Sequence, residues 1–162
     1  MVAGLFAAAA AQAQPITPAG KPKVTQVSTD HLRIRYANEV VVNTDGSMSF
    51  VVEIEPRPGM HVYAPGADDY RVISLEIDEQ SALRLRPPQY PASEIYHFLP
   101  LNEKIPVYQT PFALRLDADA QKPGEALAVT GRLEYQACDD KVCFAPVSVP
   151  LAWTVPLGSS IR

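Results

Sequence analysis

The chain of 162 residues has two cysteines, and they stand together in the run Cys138-Asp139-Asp140-Lys141-Val142-Cys143. A turn of that length brings two Cα atoms within the about 4.4 to 6.8 Å that a disulfide requires, so an intramolecular bond is feasible. As a structural staple such a bond has little leverage. Closing a loop of about six residues yields about 2 kcal/mol in the chain-entropy model, against about 4.7 for a loop of about 100. A pair meant to brace a fold would better join distant strands. As a metal centre the pair needs more ligands. His31, His61 and His97 are present, but structural zinc takes about four ligands, usually with a second closely spaced pair, and the sequence has no such pair. No metal and no cofactor is expected.

Electron transfer by thiol–disulfide exchange is the leading chemistry; the alternative is a non-redox protein-binding module that holds a partner through its loops or a sheet edge, with the pair as a small structural disulfide. The spacing is not the Cys-x-x-Cys of a thioredoxin-like helix terminus. Asp139 and Asp140 disfavour a thiolate beside Cys138, whereas Lys141 and Val142 precede Cys143, so local charge favours the thiolate at Cys143. The pair is a poor attacker at rest. It suits a carrier whose disulfide is attacked by a more reactive partner thiol and whose dithiol is later reoxidised through a mixed disulfide.

Other residues bear on the site only through the elements that carry them. His61 and Tyr63 lie two apart on an extended stretch and share a face; they line the site if that face meets the cysteines, and are otherwise ordinary half-buried residues. His97 reads as a solvated loop histidine and Trp153 as core. Asp139 and Asp140 are turn formers, tuners of thiol reactivity, or both. No Ser/His/Asp arrangement, glycine-rich phosphate loop or paired-carboxylate motif is present. The net charge of -4 is mild and both signs are scattered, which disfavours nucleic-acid and anionic-membrane surfaces and leaves a protein or a small molecule as partner.

The positioning elements are strands. Apolar residues recur at every second position: Leu32, Ile34 and Tyr36; Met48, Phe50, Val52 and Ile54; Phe112, Leu114 and Leu116. The two longest such runs, Leu127 to Tyr135 and Val147 to Val155, are expected to pair as a hairpin with both cysteines in its connection. Turn signals such as Thr44-Asp45-Gly46 and Pro123-Gly124 separate the runs. Many short strands and no sustained helical period predict an all-β antiparallel sandwich. One domain over 24–156 is expected, large enough to bury a core without staples. Ahead of it, 14–23 is a Pro-rich tether, and 1–13 reads as a signal peptide, with Ala11-Gln12-Ala13 as the small-x-small cleavage site. Residues 157–162 form a short tail. The mature protein is expected to start near Gln14, to reside in the periplasm, and to have no transmembrane segment.

The stretch Tyr135-Gln136-Ala137-Cys138-Asp139-Asp140-Lys141-Val142-Cys143-Phe144-Ala145-Pro146 resembles the redox hairpin of the family of N-terminal periplasmic domains of the thiol:disulfide interchange protein DsbD. Pro58-Gly59-Met60-His61-Val62-Tyr63 resembles that family's glycine–aromatic–x–x–tyrosine strand, and Pro106-Val107-Tyr108 with Phe112-Ala113-Leu114 its next block. The likeness runs from about Val24 to Val155. It implies an immunoglobulin-like fold and a domain that relays electrons from a membrane reductase to periplasmic oxidoreductases of disulfide isomerisation and cytochrome c maturation. It also implies that Cys143, the second cysteine, is the one that bonds to thioredoxin-like partners. The family shields its disulfide with an acidic and aromatic cap loop; Glu94-Ile95-Tyr96-His97-Phe98-Leu99-Pro100 is the corresponding region, with Phe98 and Tyr96 as covers. Full-length members continue into a membrane electron-transfer domain and a thioredoxin-like domain. Because this chain stops at Arg162, its thiol donor is expected to be a separate membrane or soluble protein.

Overall fold

The computed structural model describes residues 23–99 and 102–158. The signal-like segment, the tether up to Pro22 and the tail beyond Gly158 lie outside the described residues. Within them the chain forms twelve strands: β1 (Val24–Ser28), β2 (Leu32–Ala37), β3 (Ser47–Pro56), β4 (His61–Tyr63), β5 (Ser74–Ile77), β6 (Leu83–Leu85), β7 (Glu94–Phe98), β8 (Glu103–Tyr108), β9 (Phe112–Ala120), β10 (Ala126–Tyr135), β11 (Ala137–Cys138) and β12 (Val147–Pro156). They assemble into three antiparallel sheets, ordered β1-β2-β3-β9-β6, β12-β10-β5 and β11-β4-β8-β7.

The first two sheets face each other, because strict alternation gives each long strand one apolar side. Met48, Phe50, Val52 and Ile54 of β3 point inward with Leu114 and Leu116 of β9, and meet Val129, Leu133, Leu151 and Val155 from β10 and β12. Trp153 closes the middle, with ring centroids 5.3 Å from Tyr36 and 5.2 Å from Phe50 across the sandwich. Such aromatic pairs add about 0.5 to 1.5 kcal/mol beyond the area they bury. Leu157, just past β12, is also buried in this core. On the outer face of β2 and β3, Arg33–Glu55 and Arg35–Glu53 pair across strands at 2.8 and 2.9 Å. These exposed ion pairs are worth little energy, and they favour the observed register over its one-residue slip.

The expected terminal hairpin forms, with β10 and β12 paired from Ala126↔Pro156 to Tyr135↔Val147. Its connection is more than a loop. After Gln136 the chain leaves β10's sheet, and β11 pairs with β4 through Ala137↔Val62 and Cys138↔His61. The third sheet therefore has two working faces. Val62, Ala137 and Tyr108 pack into the main core, while Tyr63, Ile105, Val107 and Cys138 form a second, smaller core on the opposite side. Period two puts every residue next to a main-core residue on this second face.

β5 approaches β10 closely where Gly131 stands opposite Ile77. A Cβ on Gly131 would fall against the carbonyl oxygen of Glu76 and 3.1 Å from Ile77 Cα, whereas one on Gly124 would meet only Leu157 Cδ1 at 3.8 Å. Gly131→Ala should therefore cost about 1 to 3 kcal/mol of stability, the usual cost of overpacking. Gly124→Ala should cost much less. Urea denaturation of both variants checks this, and equal midpoints would contradict the close approach.

Candidate redox site

The cysteine loop is shaped by its own hydrogen bonds. The Asp139 carboxylate accepts the N–H groups of Lys141 and Val142, each at 2.7 Å, and the Asp139 N–H donates to the Val142 carbonyl at 3.0 Å. Those donors hold the Asp139 carboxyl below the usual aspartate value. At the base of the loop, the Phe144 N–H donates to the Ala137 carbonyl, and Gln136 Nε2 donates to the Phe144 carbonyl, both at 2.9 Å. The turn-forming reading of Asp139 is thus realised. Asp140 is exposed at the tip of the turn and does not line the site.

Cys138 and Cys143 are joined by a disulfide with Cα atoms 4.0 Å apart, slightly nearer than the expected range. The two sulfurs sit in unlike surroundings. Cys138 is 2% exposed and belongs to the second core, whereas Cys143 is exposed beside Lys141 and the 54%-exposed Val142.

Tyr63 and His61 meet the cysteines, so the shared face predicted from their spacing is the site face; both are buried rather than half-buried. The Tyr63 hydroxyl lies 3.1 Å from Cys138 Sγ and 3.2 Å from Cys143 Sγ. With neither sulfur carrying a proton in the disulfide, the hydroxyl is the donor. Burial raises the Tyr63 pKa above the usual phenol value, with Tyr96 and Glu103 adding to the effect. The ring stacks on Tyr70 with centroids 4.2 Å apart, and the Tyr70 hydroxyl donates to Glu103 Oε2 at 2.7 Å. That bond is the main reason the Tyr70 pKa is pushed up to about 12. His61 stands directly across from Cys138. Its ring lies 4.6 Å from Tyr96 and meets Tyr63 edge-on at 5.8 Å. Burial lowers its pKa below the ordinary 6.5, and the charge on Asp139 partly opposes that shift.

The region expected to be a cap loop is a strand. β7 pairs along β8, from Glu94↔Val107 to Phe98↔Glu103. Its alternation turns Tyr96 and Phe98 onto the second core and leaves His97 outward. His97 is solvated as expected, but it sits in β7 instead of a loop, and its Nε2 lies 2.9 Å from Asn102 Oδ1. Pro100, the end of the expected segment, is outside the described residues. Tyr96, Phe98, Lys141 and Val142 line a cleft of about 80 Å³ at the disulfide. Small-molecule sites run about 300 to 1,000 Å³, so this cleft does not hold a sizeable ligand. Tyr70, Glu103 and Ile105 belong to the same assembly and were not singled out from sequence. The alternation of β8 is the signal that places Glu103 and Ile105 on Val107's face; Tyr70 stands outside any strand and has no periodic signal. His31 packs on Phe144 with centroids 4.5 Å apart. Among the described residues no group of three or more His, Cys, Asp or Glu side chains could hold a metal ion.

The loop has hydrogen bonds of its own and the main core does not contain either cysteine. Cys138→Ser together with Cys143→Ser should leave the domain folded, with a loss of about 2 kcal/mol or less in urea denaturation. Unfolding at room temperature on reduction would mark the bond as a staple.

The family model described as thiol:disulfide interchange protein DsbD, N-terminal, matches residues 28–150. No curated protein matches the chain. Among solved structures, the chain is similar to the N-terminal periplasmic domain of ScsB from Proteus mirabilis, with a TM-score of 0.58 and 12% identity over 85% of this chain and 52% of that one. It thus spans about half of that structure, and the likeness is one of fold. The N-terminal domain of Neisseria meningitidis DsbD, solved in its reduced form, aligns with a TM-score of 0.45 and 21% identity over 72% of this chain and 82% of that one. An all-β immunoglobulin-like sandwich with a disulfide-forming cysteine pair, matched by the family model over most of its length, identifies the chain as a member of the family of DsbD N-terminal domains.

Proposed function

We infer that the domain is a thiol–disulfide exchange carrier of the periplasm, reached through the signal peptide read at 1–13, and that Cys138 and Cys143 are its working pair. Membership of the DsbD N-terminal family supports the exchange chemistry. The observation that carries the assignment of roles is the unequal exposure of the two cysteines, Cys138 at 2% and Cys143 an exposed residue.

The thiolate of a donor attacks Sγ of Cys143, the exposed cysteine. The Cys138–Cys143 bond breaks, a mixed disulfide forms between Cys143 and the donor, and Cys138 leaves as a thiolate. A second donor thiol then attacks its own sulfur in the mixed disulfide and releases Cys143, so two electrons and two protons have entered the domain. Delivery to an oxidised thioredoxin-like acceptor runs the same steps in reverse. The Tyr63 hydroxyl, within 3.2 Å of both sulfurs, stabilises charge that develops on either. Tyr96 and Phe98 cover Cys138 against small thiols and oxidants, and Lys141 favours the thiolate at Cys143. The donor is a membrane or soluble thiol protein, and the acceptors are periplasmic oxidoreductases, including those serving cytochrome c maturation.

The test uses a thioredoxin-like protein that retains only its attacking cysteine, activated as a thionitrobenzoate disulfide. Reduced Cys138→Ser should form a covalent adduct on a non-reducing gel, and reduced Cys143→Ser should react on the order of tenfold more slowly, because access governs attack. Equal rates would refute the assignment to Cys143. No adduct with either variant would refute the carrier role.

A further inference from the structure

Exchange through Cys143 leaves a chemical difficulty at Cys138. Its sulfur must be a thiolate both when it leaves and when it attacks to release a bound partner, yet it is 2% exposed, and burial in apolar surroundings disfavours a thiolate. The Asp139 carboxylate next to it adds a like charge. Tyr63 offers a hydrogen bond, but a phenol raised by burial keeps its proton near neutral pH. Tyr70 is engaged by Glu103. Lys141 is exposed at the rim. From the strands packed around the cleft, the remaining groups facing it are Tyr96 on β7, Cys143, and His61 on β4.

We propose that His61 is the proton acceptor and donor for Cys138, resting on the exchange reading above. The two are partners in register on adjacent strands, on one face and both buried. Directly opposite residues have Cβ atoms about 4.5 to 5.5 Å apart, which an imidazole spans. Tyr96 and Tyr63 bracket the ring and fix its plane. Burial holds the imidazole pKa below its ordinary value, which favours the neutral form that has a lone pair to accept a proton. When Cys143 is bound to a partner, the Cys138 S–H passes its proton to His61, and the thiolate attacks Cys143 Sγ. The Cys138–Cys143 bond forms and the partner leaves as a thiolate, which takes a proton from the imidazolium or from water. In the opposite direction the attacking partner thiol gives up its proton to His61, directly or through water, and the imidazolium so formed protonates the departing Cys138. The partner thiol supplies the electrons, so no other reductant enters.

The test is the thiolate titration of Cys138 in reduced Cys143→Ser, followed by ultraviolet thiolate absorbance, with and without a change at His61. His61→Phe should raise the Cys138 titration by about one unit or more, equivalent to an about tenfold smaller thiolate fraction at neutral pH. His61→Gln, which keeps a polar side chain but accepts no proton, should behave like His61→Phe; near-ultraviolet circular dichroism checks that both keep the fold. An unmoved titration in either variant would overturn the proposal, as would a wild-type titration restored by His61→Gln. Failure of the carrier role is seen separately, as absence of adducts with Cys138→Ser, and leaves this titration readable.

Discussion

Two rungs of a ladder, Ala137↔Val62 and Cys138↔His61, hold this molecule's chemistry in place. They mark where the chain leaves the long strand β10 and joins a different sheet. Ala137 is fully buried in the main core, so the neighbouring residue must turn to the opposite face. Shifting that register by one would exchange the two, burying the sulfur in the sandwich and presenting an alanine to the cleft. The large core thus fixes the small one, and the sulfur is positioned by a sandwich whose main core does not contain it.

The inequality between the two cysteines follows from the same geometry. Cys138 is a strand residue, anchored on both sides, whereas Cys143 lies across the Asp139 turn at the surface. The loop is braced by hydrogen bonds of its own besides the S–S bond. Asp139, Gln136 and Phe144 make hydrogen bonds that hold the loop, and no sulfur takes part in them. A bond with that little structural burden is suited to being made and broken repeatedly.

Much of this was legible in the sequence because period two is a strong signal where a strand has one wet face. The runs at Met48 to Ile54, Leu127 to Tyr135 and Val147 to Val155 became β3, β10 and β12, and the terminal hairpin paired as the alternation required. The site was legible where it lay on such strands: His61 and Tyr63 share a face, and that face meets the sulfurs. Legibility ended where short segments are set by tertiary contact. β11 is two residues long and carries no period of its own. The segment of β7 reads as a loop only through the likeness to the family's cap loop, and its run Ile95-Tyr96-His97-Phe98-Leu99 does not alternate cleanly between apolar and polar residues. Tyr70 enters the site through stacking on Tyr63, a contact between segments that no local pattern encodes.

A pair with one buried and one exposed cysteine on a hydrogen-bonded loop suits a carrier, and its energetics must then lie where partners can both fill and empty it. The reduction potential of the Cys138–Cys143 couple, measured by equilibration with a thioredoxin or glutathione buffer, tests this most directly. The account predicts a value above about -300 mV, within range of exchange with thioredoxin-like proteins. A potential well below about -300 mV, where structural disulfides of exported proteins lie, would contradict it and leave the bond as a staple.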